Sequence, residues 1–185
     1  MGNAVNAVTI SVPDPAAMQE LGRTLATVLR PGDLVLLSGE LGAGKTTLTR
    51  GLGEGLGVRG AVTSPTFVIA RVHPSLVGGP ALVHVDAYRL SGGLDEMEDL
   101  DLDVSLPESV VVVEWGEGKV EELSETRLEV RIDRALGGAA GHEDHLLSLA
   151  EDLNPEVPDD RTVTLRGLGD RWADVDLGAL AVARA

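Results

Sequence analysis

The chain of 185 residues has no cysteine, which excludes disulfides and thiolate chemistry and allows a reducing compartment, so a cytoplasmic location is expected. Aromatic residues make up only 2% of it, so its core has to be built from Leu, Val, Ile and Ala. Basic residues are also scarce. Against 30 Asp and Glu stand 15 Lys and Arg, a formal net charge of -15. A surface this acidic is repelled by a phosphodiester backbone, which argues against direct nucleic-acid binding and for a protein or nucleotide partner. No apolar run approaches the ~20 residues of a membrane-spanning helix, so no membrane partner is expected. The N-terminus lacks a basic segment followed by an apolar stretch, so no secretory leader is expected.

What is present is enough apolar residue, 43%, for one ordinary core, and the length suggests a single domain over residues 1–185. Residues 8–12 alternate as a strand, and Pro13-Asp14-Pro15 then offers an N-cap at Asp14 and a proline at the first helical position. A helix over 15–29 follows, with Met18, Leu21, Leu25, Val28 and Leu29 on one face. Residues 33–38 read as a short apolar strand. Gly39-Glu40-Leu41-Gly42-Ala43-Gly44-Lys45-Thr46 comes next and fits the phosphate-binding pattern G-x-x-x-x-G-K-[ST]. A helix over 45–56 completes the strand, loop, helix context that the pattern needs.

Each residue type in that loop has a physical reason. Glycines let the backbone turn tightly and point successive N–H groups at an anion. The new helix adds its positive N-terminal end. Lys45 can reach β- and γ-phosphates, and the Thr46 hydroxyl can ligate Mg²⁺. The expected nucleotide-binding set is Glu40, Leu41, Gly42, Ala43, Gly44, Lys45, Thr46 and Thr47, with ATP and Mg²⁺ as cofactors. The alternative is a glycine-rich turn with a chance lysine, but the chain has only two lysines, Lys45 and Lys119. Gly51, Gly53 and Gly55 weaken the following helix by up to ~1 kcal/mol each, so packing has to hold it.

Further along, residues 67–72 and 81–85 read as two strands with a short connection, an antiparallel hairpin. Residues 94–102 read as an acidic helical piece. The run Val110-Val111-Val112-Val113 is expected to be a strand buried on both faces. Strands over 126–133 and 161–167 are expected to pair. Between them, 135–160 reads as an inserted flexible loop with room for one short helix at 142–153. The end, 172–185, reads as a small apolar helix or a frayed tail, with the C-terminal tail placed at 173–185. The fold class expected is α/β, a P-loop NTPase-type three-layer arrangement around a central mixed, mainly parallel sheet.

Hydrolysis needs an acidic group near the metal and something to position water. Asp86 and Glu114 each follow an apolar strand and so stand at strand C-terminal ends, where α/β sheets gather their ligands. Thr66 could offer a hydroxyl to the γ-phosphate or the metal. Taken singly, each has a plain alternative: a solvated carboxylate, or a turn threonine after Pro65.

Together, four segments resemble one family: 39–47, Ser64-Pro65-Thr66-Phe67, His84-Val85-Asp86-Ala87-Tyr88-Arg89-Leu90, and Val113-Glu114-Trp115. In this order and spacing they are similar to the bacterial ATPase of tRNA threonylcarbamoyladenosine biosynthesis, the TsaE type. The resemblance covers about residues 8–133 and resumes near 161–172. It implies an ATPase that works with TsaD- and TsaB-type subunits to support threonylcarbamoyl transfer onto adenosine 37 of tRNA. It also implies that Lys45 and Thr46 hold phosphates and Mg²⁺, that Glu114 stands on the metal side, and that Asp86 lies beside the γ-phosphate. Catalytic roles then fall to Asp86, Glu114 and Thr66, and metal ligation to Thr46 and Glu114. Thr66 would belong to a switch-like loop that Tyr88 and Arg89 help to order. Trp115 would lie near the nucleotide or a partner, or be a plain core or rim tryptophan. Two other readings stay open: a small P-loop kinase acting on a metabolite, and a nucleotide-responsive adaptor with little turnover.

Overall fold

Runs of β-branched and leucine residues that are apolar at every position demand burial on both faces, and the sheet obeys that demand. The computed structural model describes residues 5–62, 70–87, 106–115, 124–134 and 160–182. Within them, strands β1 (Val5–Val12), β2 (Leu34–Gly39), β3 (Ala70–His73), β4 (Ala81–Asp86), β5 (Ser109–Glu114), β6 (Arg127–Arg134) and β7 (Arg161–Leu168) form one sheet. Its order is β1-β7-β6-β2-β5-β4-β3. The centre, β6-β2-β5-β4, is parallel, and the flanking pairs are antiparallel. This is the expected mixed sheet with a mainly parallel centre, flanked by helices. The expected β3–β4 and β6–β7 pairings both form.

Strand periodicity sorts the core into two sides. Val35, Leu37, Val110, Val112, Leu128 and Val130 face helices α1 (Pro15–Ala26) and α2 (Lys45–Leu56) and join Leu21, Leu25, Leu48 and Leu52 in one cluster. Leu34, Leu36, Val83, Val85, Val111 and Val113 form a second cluster on the opposite face. All six residues of β5 are buried, as its continuous valines require.

Helix α1 begins as expected: Asp14 Oδ1 accepts from the Ala17 N–H at 2.7 Å, and Pro15 takes the first position. It ends at Ala26 rather than at 29. Thr27, Val28 and Leu29 continue only through i→i−3 bonds, the tightening that precedes Pro31-Gly32. The glycines of α2 have a reason that propensity hides. A Cβ on Gly51 would meet Gln19 O at 2.0 Å, and one on Gly22 would meet Leu48 O at 2.3 Å. The two helices cross backbone against backbone.

The C-terminal residues make two short helical turns, Asp170–Ala173 and Ala179–Val182, with Trp172, Leu177 and Leu180 in the main core. Arg171 ties them back by a bidentate pair with buried Asp33, at 3.1 and 2.9 Å, and by a bond to Val28 O at 2.7 Å. Residues 63–69, 88–105 and 135–159 lie outside the described set, and with them Thr66, Tyr88, Arg89, the acidic helical piece and nearly all of the inserted loop.

One buried titratable group gives the fold a pH dependence. His73, 4% exposed, is held at Arg59 O by Nδ1 at 3.3 Å. Burial pushes its pKa below 6.5, opposed by the hydrogen bond to Arg59 O and reinforced by nearby His84 and Arg71. The unfolded chain therefore takes up this proton first as the pH falls. The stability that neutral His73 contributes is complete well above pH 6.5 and is lost as pH drops through the folded value. Thermal denaturation between pH 7.5 and 5 should show a Tm decline that is shallower in His73→Gln than in the wild type.

Candidate functional site

Strand β2 delivers the glycine loop at its C-terminal end, in the middle of the sheet. Gly39 is needed there because a Cβ would strike Ile132 O of β6 at 2.6 Å. Gly44 caps α2 at φ 115°, a left-handed conformation costly for any side chain, and no side chain caps the helix start. The first N–H groups of α2 therefore open into the loop, with the helix's positive end behind them. That is a cradle suited to an anion.

Lys45 is 5% exposed and its ammonium donates to Gly39 O at 2.8 Å and Glu40 O at 2.9 Å. Burial lowers its pKa, opposed by the negative charges of Glu114 and Asp86. Those two carboxylates are thus gathered around the loop lysine, and the register explains why: Asp86 and Glu114 are direct partners on parallel β4 and β5, and Glu114 pairs in turn with Leu37 of β2. Glu114 is 4% exposed, while Asp86 is half-buried. The Lys45 ammonium also lies 4.0 Å from the centroid of the Trp115 ring, a cation–π contact worth ~0.5–2 kcal/mol. Trp115 has φ 61°, a left-handed conformation that a bulky residue adopts only under constraint. Its N–H bonds Leu37 O at 3.3 Å, and the turn swings the ring beneath the lysine.

Thr46 is half-buried in the first turn of α2. Thr46, Glu114 and Asp86 offer hard oxygen donors, the chemistry of Mg²⁺ rather than of a soft metal. Among the described residues no group of three or more His, Cys, Asp or Glu forms a metal cage. Such a set fits an ion that keeps several waters and takes the rest of its ligands from substrate phosphates.

Three contributors escaped the sequence reading. Arg134 and Arg161 are cross-strand partners at the loop end of β6 and β7, with Arg134 Nη2 3.5 Å from Gly42 O and Arg161 Nε 3.1 Å from Ala43 O. They are 27 positions apart in the chain, and no local pattern joins them. The third is His84, whose Nε2 bonds Glu114 Oε1 at 2.8 Å. It stands two residues before Asp86 on one strand, so it shares that residue's face, but its contact with Glu114 comes from β4 lying beside β5. Beside the loop, a cavity of about 80 Å³ is lined by Asp14, Pro15 and Met18 of the α1 start, by Gly42, Ala43, Gly44 and Thr47, and by Arg161.

Among known proteins, the family model described as "Threonylcarbamoyl adenosine biosynthesis protein TsaE" matches residues 12–139. The Streptomyces coelicolor tRNA threonylcarbamoyladenosine biosynthesis protein TsaE is 71% identical over 164 residues, covering 89% of this chain and 99% of its own. The protein of the same name from Mycobacterium tuberculosis H37Rv is 49% identical over 132 residues, covering 68% of this chain and 79% of its own. Among solved structures, Bacillus subtilis YdiB superposes with a TM-score of 0.64 at 28% identity, covering 97% of this chain and 94% of that one.

Proposed function

The chain belongs to the TsaE family of tRNA threonylcarbamoyladenosine biosynthesis proteins and has the P-loop NTPase fold, and from that premise we propose that it is a Mg²⁺-dependent ATPase of that pathway. The observation that carries the proposal is the grouping of the glycine loop, Lys45, Thr46, Asp86 and Glu114 at the C-terminal ends of three adjacent parallel strands. In this reading the loop N–H groups and Lys45 bind the phosphates of ATP. Thr46 and Glu114 hold Mg²⁺, which neutralises charge developing on the transferred phosphoryl group. Asp86 orients the attacking water or supports the metal's water shell. The cavity beside Asp14, Met18 and Arg161 adjoins the loop. TsaD- and TsaB-type subunits are the proposed partners, in the cytoplasm. Among the described residues no helix is long and apolar enough to cross a membrane.

The test is Mg²⁺-dependent ATP hydrolysis by the purified chain, alone and with TsaB and TsaD counterparts. Stimulation by the pair is the expected result. Transfer of phosphate to a small acceptor would establish the kinase instead, and tight binding without turnover under every condition would establish the adaptor. In the same assay Lys45→Ala should weaken ATP binding by ~1.5–3 kcal/mol, about 10–150-fold, because a charge-assisted contact to phosphate is lost. Fluorescence titration with a labelled nucleotide checks that figure, and unchanged affinity would remove Lys45 from the phosphate site.

A further inference from the structure

We infer that His84 is a positioning residue for the Glu114 carboxylate, an inference that rests on the proposed role of Glu114 toward Mg²⁺. The two side chains are 0% and 5% exposed, and their bond, 2.8 Å from Nε2 to Oε1, is closed to solvent. A carboxylate can only accept, so the Nε2 proton is the one shared. The register makes this a diagonal pair. His84 faces Val112 and Glu114 faces Asp86 on neighbouring parallel strands, so the imidazole reaches one side-chain step along the sheet to meet the carboxylate on the same face.

Two further observations separate this pair from ordinary core filling. First, among the described residues His84 Nδ1 is buried with no hydrogen-bond partner. Buried polar atoms are usually matched, and the hydrogen bond this ring makes among the described residues is the one to Glu114. Here the ring keeps Nε2 on Glu114 and leaves Nδ1 unmatched. Second, Glu114 stands in the field of Lys45, an attractive charge that could draw it into a closed ion pair. Lys45 instead donates to the carbonyls of Gly39 and Glu40, and Glu114 bonds His84. The imidazole thus fixes the carboxylate plane through Oε1, leaves Oε2 for a ligand, and keeps Glu114 separate from the phosphate-binding lysine. Carboxylates that ligate metals commonly need such a hydrogen-bonded support, and its loss costs about 10–100-fold in metal affinity or activity.

The experiment compares wild type, His84→Ala, His84→Gln, Glu114→Gln and the His84→Ala/Glu114→Gln double variant. Affinity for a non-hydrolysable ATP analogue is measured by fluorescence with and without Mg²⁺, alongside kcat and KM for ATP and a melting curve. In His84→Ala, metal-free affinity should stay within about twofold, while the gain in affinity produced by Mg²⁺ falls about 10–100-fold. Its kcat at saturating Mg²⁺ and ATP should fall by a similar factor, and KM for ATP should rise with the lost Mg²⁺ gain. His84→Gln, whose amide N–H can replace Nε2, should recover most of both. In the Glu114→Gln background, His84→Ala should have no further effect on the Mg²⁺ gain. Full Mg²⁺ dependence in a folded His84→Ala, failure of His84→Gln to recover a folded protein's Mg²⁺ gain, or independent additive losses in the double variant would each overturn the inference. A wild type without any Mg²⁺-enhanced binding or hydrolysis would instead overturn the proposed function, and the wild-type arm reads that outcome separately.

Discussion

Glu114→Ala is expected to cut Mg²⁺-dependent ATP turnover by about 10²–10³-fold while ATP affinity measured without Mg²⁺ changes by less than about threefold, the turnover loss being typical of losing one fixed electrostatic group at a reacting centre. The separation of effects follows from where the residue sits. In the proposed function the phosphates are gripped by the loop N–H groups, by the open end of α2 and by Lys45, none of which depends on Glu114 for its position. Glu114 lies one strand away, at the end of β5, buried and bonded to His84. Its charge matters most when charge moves during phosphoryl transfer, so its removal acts on kcat. Steady-state kinetics with a parallel binding titration distinguishes the cases. A variant that loses binding as severely as Lys45→Ala, with its melting curve intact, would refute this division of labour. Asp86→Ala should fall in the same class as Glu114→Ala, since the two are register partners.

The largest effect on stability is expected from Gly51→Val. The backbones of α1 and α2 approach so closely that a Cβ at 51 would lie 2.0 Å from Gln19 O, and a backbone carbonyl cannot rotate aside as a flexible side chain can. Overpacking of this kind costs ~1–3 kcal/mol even when neighbours can yield, and here the helices must part. For a chain of this size about 3 kcal/mol corresponds to a fall of roughly 6–12 °C in Tm. Because α2 begins at the loop, nucleotide affinity should fall in step with the displacement of that helix. Gly79→Ala is the control: the nearest atom to its added Cβ is Ser75 Oγ at 3.8 Å, so its Tm should stay near wild type. Equal melting temperatures for Gly51→Val and Gly79→Ala would show that the helices do not cross this closely.

Much of this site could be read from the chain because its parts are local. The glycine loop is continuous between a strand and a helix, and strand-end acids announce themselves by following apolar runs. Lys45, Asp86 and Glu114 come together around the loop, and Trp115 lies under the lysine. The arginines that touch the loop could not be read. Arg134 and Arg161 meet through antiparallel register across an intervening segment, and an isolated arginine looks the same whether it lies on an open surface or beside a phosphate loop. His84 was visible as a strand residue, but its bond to Glu114 depends on β4 lying next to β5 rather than on any spacing. The α2 glycines were legible only as a weakness, since propensity counts a helix alone and their value is realised in its contact with α1.

By itself the sequence determined what its local chemistry and periodicity could carry: the absence of disulfides, the valine-rich central strand, the phosphate-loop pattern with its flanking strand and helix, and the N-cap at Asp14. Tertiary structure alone decided which strands are neighbours, and hence that Asp86 and Glu114 face the same lysine, that His84 holds Glu114, and that two helices can cross at Gly22 and Gly51. The physical reason is range. Propensity and side-chain alternation act over a few residues and are written in order along the chain. Strand order and close helix crossing are settled by the burial of one shared core, to which residues far apart in sequence contribute together.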